Sequence, residues 1–303
     1  MDIIGVGESD IDILISVENI AGKGEKTRGT EIGKFPGGIV GNFCSAAAKL
    51  GMDCGIVSML GDDENGEIAF KDYENRDIDI SNLIIQKKEK TFYCVVFIDP
   101  TGEKYLTAVV TPLISPNKNK IDFAYLKQAE YVHTTSMDYN LVEKIVDELK
   151  LTNTKISMDF EAHAEKKGLN NWKYILKNTN TLFINEGGMK TLFYNNHVDT
   201  SVQKLLSLGI NHVVYTKGAN GGTVYTKNKK FNYDAYHVNE VKDTTGAGDC
   251  FNATFLSYLI QGHSMEEVIQ HAAASAAISI QHMGARTGLP TKEEVEQFIK
   301  NNS

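Results

Sequence analysis

Apolar and polar positions follow two rhythms along this chain, and each change of rhythm marks an element. Residues 2–7 are a short, nearly unbroken apolar run closed by glycine, which predicts a strand buried on both faces. Ile11, Ile13, Ile15 and Val17 then alternate with Asp10, Asp12 and Ser16, which predicts a second strand with one polar side. A polar, glycine-dotted stretch covers 19–35. Pro36-Gly37-Gly38 stops it, and Val40, Cys44, Ala47, Ala48 and Gly51 follow at helical spacing. A strand is predicted at 54–60 and a helix around 68–75. The runs 91–98 and 104–110 are β-branched and aromatic, joined by Asp99-Pro100-Thr101-Gly102-Glu103, which predicts a hairpin. With 11–17 and 30–35 it would build a small separate sheet suited to a lid. The other option is an edge extension of the main sheet. From 121 onward helices at 121–128, 140–149, 171–177 and 198–208 alternate with strands at 130–134, 155–160, 181–184 and 211–216. Such alternation implies right-handed crossovers and a mainly parallel sheet with helices on both faces. Helices at 265–283 and 291–299 close the chain.

Composition narrows the classes. With 303 residues, 42% hydrophobic, the chain can bury a large core. A net charge of -8 argues against a nucleic-acid surface. Cys44, Cys54, Cys94 and Cys250 lie far apart in apolar surroundings and read as buried free thiols. No His-Glu-x-x-His and no Gly-x-x-x-x-Gly-Lys-Ser/Thr occurs, so neither a zinc helix nor a P-loop is present. Gly5-Val6-Gly7 lacks the third glycine and following helix of a dinucleotide fingerprint. No apolar run approaches the roughly 18 residues of a membrane span. The start, Met1-Asp2-Ile3-Ile4-Gly5, has no basic leader region, so a cytoplasmic location with no membrane partner is expected.

The densest chemistry lies in 241–251. Gly246-Ala247-Gly248 opens a helix whose apolar positions are Ala247, Phe251, Phe255, Leu256 and Leu259. The first N–H groups of a helix lack intrahelical partners, and small residues let an anion reach them. Asp249, in that first turn, suits general-base work on a hydroxyl that attacks a phosphoryl group, or is an ordinary cap-like acid.

Asp243-Thr244-Thr245-Gly246-Ala247-Gly248-Asp249, with Phe251 and Ala253, resembles the C-terminal signature of the pfkB (ribokinase-like) carbohydrate kinases. Gly37-Gly38 followed by Asn42 resembles that family's N-terminal motif. The resemblance spans nearly the whole chain. It implies an α/β ribokinase-like, doubly wound fold as one domain over 1–303, with a lid sheet from about 11–35 and 91–111 inserted. It implies an ATP-dependent kinase in which Asp249 deprotonates the acceptor and Gly246, Ala247 and Gly248 form the anion hole. Asp10, Asp12, Gly37, Gly38 and Asn42 would hold the sugar, unless the two acids are plain solvated strand residues. Asn185, Thr216, Lys217, Gly218, Gly221, Thr245, Gly246 and Ala274 would meet the nucleotide, Ala274 from an alanine-rich helix flat enough for adenine. Mg2+ is implied on the phosphates. The family's Asn-x-x-Glu is incomplete here, because Gly188 stands in the Glu position. Glu186 is the nearest substitute, acting through water. Carbonyls near Asp243 resemble a monovalent-cation site, which admits K+.

Many relatives that act on phosphosugars have Lys after the diglycine. This chain has Ile39, which favours a free sugar such as fructose, a fructosamine or ribose, phosphorylated at a primary hydroxyl. The alternatives are a nucleoside or vitamin kinase of the same fold, with Phe92, Tyr93, Phe97 and Tyr105 as walls, or a catalytically idle binding relative. A homodimer through the lid sheet is also expected.

Overall fold

The computed structural model describes residues 1–194 and 197–302. The chain runs β1 (Ile3–Val6), β2 (Asp10–Val17), β3 (Gly29–Gly37), α1 (Ile39–Lys49), β4 (Cys54–Val57), β5 (Met59–Gly61), α2 (Glu64–Glu74), β6 (Ile84–Gln86), β7 (Tyr93–Ile98), β8 (Lys104–Val109), α3 (Phe123–Leu126), β9 (Tyr131–Thr135), α4 (Tyr139–Leu149), β10 (Lys155–Phe160), α5 (Leu169–Leu176), β11 (Thr181–Asn185), α6 (Glu186–Phe193), α7 (Val198–Ser207), β12 (His212–Thr216), β13 (Gly222–Tyr225), β14 (Lys230–Tyr233), α8 (Ala247–Ile260), α9 (Met265–Ser279) and α10 (Lys292–Asn301).

The main sheet has eight strands in the order β14-β13-β12-β11-β10-β9-β1-β4. It is parallel from β4 to β12 and ends in the antiparallel pair β13 and β14. Its strands are apolar on both faces because helices cover both, as parallel sheets require. Adjacent residues divide between the faces. Ile4, Leu182 and Val213 join the core under α3 to α7. Ile3 joins the cluster under α1, α2 and α8, while Phe183 and Val214 pack beneath α8 and α9. The hairpin of β7 and β8 pairs through β7 with β2, and β2 with β3, giving a separate four-stranded sheet in the order β3-β2-β7-β8. It is not an edge extension of the main sheet.

Several expected boundaries move for local reasons. The 54–60 strand breaks at Ser58, and β5 leaves the main sheet to pair with β6. Helix α2 starts four residues earlier than its apolar spacing suggests, because the Asp63 carboxylate caps it by accepting from the Gly66 N–H at 3.0 Å. The helix expected at 121–128 shrinks to α3, and the one expected at 265–283 stops at Ser279. Helix α6 was not expected, since Gly187-Gly188 reads as a turn. Asn185 caps it, accepting from the Gly188 N–H at 2.9 Å. A Cβ at 188 would lie 2.1 Å from the Phe160 carbonyl oxygen, so the start of α6 abuts β10 where only glycine fits. A glutamate cannot occupy 188 without moving that backbone.

Candidate active site

Strand β1 has β4 on one side and β9 on the other, all parallel, so the order in which strands are added reverses at β1. Crevices open at the C-terminal ends of strands at such a switch point. The segment leaving β1 carries Glu8, whose carboxylate accepts from the Thr135 hydroxyl at the end of β9 at 2.6 Å. Asp159, near the end of β10, accepts from the Asn252 amide of α8 at 2.8 Å. The first turn of α8 stands over this mouth, and α1 packs beside it through Val40 and Cys44 against Cys250 and Ala253.

Gly38 begins α1 at φ 86, and a Cβ there would lie 2.7–2.9 Å from the backbone of Glu8, Ser9 and Asp10. Only glycine takes that conformation so close to another strand. It lets the loop press onto the start of β2 and sets Asn42 in the first turn of α1. The Asn42 amide N–H donates to the Asp249 carboxylate at 2.8 Å. The Asn42 oxygen accepts from Arg286 Nε at 2.9 Å. A Cβ on Gly37 would lie 2.3 Å from Asp10 Oδ1 and 2.8 Å from Asp12 Oδ2, so both acids line the same corner. They are buried rather than solvated, at 6% and 8% exposure. Gly246 precedes α8 in the left-handed region at φ 75; the Ala247 N–H turns back to the Thr244 oxygen at 3.2 Å, while the Gly248 N–H, in the first turn, has no intrahelical acceptor. A Cβ on Gly248 would meet nothing within 4 Å. The tip of α8, Asp249 and the acid corner are therefore contiguous.

Burial sets the protonation of this corner. Loss of hydration pushes the Asp249 carboxyl up to about 7; the Asn42 bond and Arg286 pull it down, while Glu161 and Glu8 push it up. Burial likewise raises Glu8 to about 7 and Asp12 to about 6. Burial and the neighbouring Asp12 hold Asp10 well above the usual range. Asp10 Oδ1 has no hydrogen-bond partner among the described residues. In the unfolded chain these carboxyls titrate near pH 4. The folded state therefore binds more protons between the two values, and its stability falls as pH rises through the folded value. Buried His133 is shifted down to about 3 by burial, so it opposes this trend only below its free value near 6.5. The expected result is a Tm that falls between pH 6.5 and 8 in a calorimetric series, with a shallower fall in Glu8→Gln. A flat or rising Tm would contradict the shifts.

The nucleotide candidates gather at neighbouring strand ends. Asn185 closes β11 beside Thr216 of β12, in register. Lys217 and Gly218 follow in an exposed turn that ends at buried Gly221, closed by Lys217 N–H to the Gly221 oxygen at 2.8 Å. The Thr245 N–H donates to Asp243 at 2.8 Å.

Residues 2–292 match the pfkB family of carbohydrate kinases. The chain belongs to that family. A nucleoside kinase of Methanocaldococcus jannaschii is 25% identical over 300 residues, spanning 98% of this chain and 96% of its own. A crystal structure of a ribokinase from Thermotoga maritima is 28% identical, with TM-score 0.86 over 99% of this chain and 100% of that one. A putative ribokinase II from E. coli in complex with ATP and Mg2+ has TM-score 0.86 at 22% identity, covering 99% of each chain. This pfkB chain is thus a carbohydrate kinase.

Two expected residues sit differently. Ala274 is fully buried against Leu50 and Val295, so it offers adenine no surface; Ala273, one residue earlier, lines a groove of about 280 Å³ between α9 and β14. Glu186 spends its carboxylate on Lys190 at 2.7 Å, at the surface. The Asp243 carboxylate is engaged by its own chain: the Lys104 ammonium, from strand β8 of the small sheet, pairs with it and reaches the Thr245 hydroxyl at 3.4 Å. Burial alone would raise Asp243, but the Lys104, Thr245 and Gly284 bonds hold it below the usual carboxylate range. Sequence reading missed the parts of Glu8, Asp159, Lys104 and Arg286. For Glu8 and Asp159 a signal existed, since acids at the C-terminal ends of parallel strands face the crevice. No helix of the described residues is long and apolar enough to cross a membrane.

Proposed function

We propose that this carbohydrate kinase transfers the γ-phosphate of ATP to a primary hydroxyl of an unphosphorylated sugar, with fructose, a fructosamine and ribose as first candidates. The observation that carries the reading is the Asn42–Asp249 hydrogen bond at the tip of α8, which puts a carboxylate of raised basicity beside bare N–H groups and the Asp10–Asp12 corner. Asp12 and Asn42 accept from and donate to sugar hydroxyls. Asp249 takes the proton as the hydroxyl oxygen bonds to the γ-phosphorus and the bond to the ADP oxygen breaks. The N–H groups of Gly246, Ala247 and Gly248 hold the growing negative charge, where most catalysis in this class arises. ATP lies over Thr216, Lys217, Gly218, Gly221 and Thr245. The E. coli neighbour supports ATP and Mg2+ as a pair. Magnesium would neutralise phosphate charge and keep several waters, one of which Asn185, in register with Thr216, could meet.

The acid corner supports a neutral acceptor. Buried Asp10 and Asp12, with Ile39 where a lysine would favour phosphate, give a phosphorylated sugar no cationic partner. The half-buried Tyr93 and Phe97 leave room for a nucleoside as second reading. Exposed Ile32, Tyr105, Leu106 and Val110 on the lid sheet and its margin support a homodimer joined there. The test is coupled ADP release with Mg-ATP, with and without K+, over free sugars, nucleosides and sugar phosphates. Turnover led by a free sugar is expected. Turnover led by a phosphorylated acceptor, or binding without turnover throughout, would overturn the reading.

A further inference from the structure

The buried guanidinium of Arg286 has a job the transfer chemistry does not itself assign. It is 4% exposed, and it lies on the loop after α9, more than two hundred residues from most of its partners. Its Nε donates to Asn42 Oδ1 at 2.9 Å, its Nη1 to Asp72 of α2 at 2.7 Å, and its Nη2 to the Gly37 carbonyl and the Tyr73 hydroxyl. It lies 5.0 Å from the centre of the Tyr73 ring. Glycine at 41 makes room, because a Cβ there would stand 2.2 Å from Nη2.

We propose that Arg286 is a positioning residue for phosphoryl transfer: it fixes the Asn42 amide so that its N–H, and not its oxygen, faces Asp249, while holding the Gly37 carbonyl at the acceptor corner. The reason is elementary. An asparagine amide fits a site equally well in two orientations related by a half-turn, because its oxygen and nitrogen are nearly the same size. A guanidinium is a donor and never an acceptor. With Arg286 Nε–H on one side, the reversed amide would oppose two donors there and two acceptors at Asp249. One orientation survives, and in it Asp249 accepts from Asn42, leaving its other oxygen for the acceptor hydroxyl. Asp72, itself paired with Arg76 at 3.0 Å, keeps the guanidinium from swinging away. Charge acts in the same direction. The groups that bear on Asp249 are Glu8 from the segment after β1, Asp159 and Glu161 from the end of β10, and Arg286 with Asn42 on the other side. The three acids favour its protonated form, and Arg286 opposes them.

The inference rests on the kinase reading, and its test separates the two. The pH profile of kcat/KM is measured for the wild type, Arg286→Met and Arg286→Lys on the acceptor the wild type prefers. In parallel, the Asp249 carboxyl is titrated by 13C NMR and assigned by its loss in Asp249→Asn. The methionine variant is expected to move the acid limb, and the NMR titration, up by about one pH unit. Its plateau kcat should fall about tenfold, with a smaller change in sugar KM. Lysine, which keeps the charge but not the planar fork, is expected to shift both by less than half as much. A folded Arg286→Met with limb and titration unmoved would overturn the proposal. If that variant does not fold, Arg286→Lys decides by the same measure, an unshifted titration being the contrary result. A wild type inactive on every acceptor would instead remove the kinase reading, and the NMR titration would still judge Arg286.

Discussion

Asp249→Asn is expected to lower kcat by about 10² to 10⁴, the range for loss of a positioned general base. The substitution keeps the shape of the side chain, and the new amide oxygen still accepts from Asn42, so the sugar corner stays formed. Sugar KM and the Tm gain on adding sugar should therefore change little, which places the loss in the chemical step. The wild-type kcat/KM should rise with pH through about 7, because the carboxylate form is the active one. That limb should disappear in the variant. Turnover near the wild-type level would mean that another group takes the proton.

Gly248→Ala is expected to move stability and activity in opposite directions. Position 248 lies inside α8 with ordinary helical backbone, where alanine is favoured over glycine by roughly 0.5–1 kcal/mol. A Cβ there meets no atom within 4 Å, so the fold accepts it, and Tm should hold or rise by about 1–2 °C. The same methyl stands where the helix tip presents its N–H groups to the migrating phosphoryl, and turnover should drop about 10²-fold, the scale of one lost anion-hole donor. Gly246→Ala is the contrast. Its φ of 75 and a Cβ 2.7 Å from Ala285 predict lost stability as well as lost activity. A fully active Gly248→Ala would place the phosphoryl group elsewhere.

The features legible in the sequence are those written in short-range pattern. The alternation over 10–17 and the hairpin around Asp99-Pro100 carry their own signals, and the small sheet follows. The two glycine motifs were legible for a different reason: a ligand must approach bare backbone, and few residues permit that. What escaped lies between elements far apart in the chain. Arg286 looks like a loop charge until α2, β3 and α1 close around it. Lys104 looks like an exposed strand residue until the small sheet brings it to Asp243. The phase of the alanine-rich α9 was misjudged because small residues line several sides of it, so Ala273 and Ala274 are indistinguishable by pattern although only Ala273 lines a groove. Helix α6 was hidden by Gly187-Gly188, whose glycines serve close packing on β10 rather than a turn.

The central claim is that a hydroxyl of the bound sugar sits on Asp249 at the tip of α8. A crystal structure with the preferred sugar and a non-hydrolysable ATP analogue tests it most directly. The account predicts a primary hydroxyl oxygen about 2.6–3.2 Å from an Asp249 oxygen, with the γ-phosphate against the N–H groups of Gly246, Ala247 and Gly248. A sugar bound away from Asp12 and Asn42, or a reactive hydroxyl turned toward another residue with Asp249 unengaged, would contradict it.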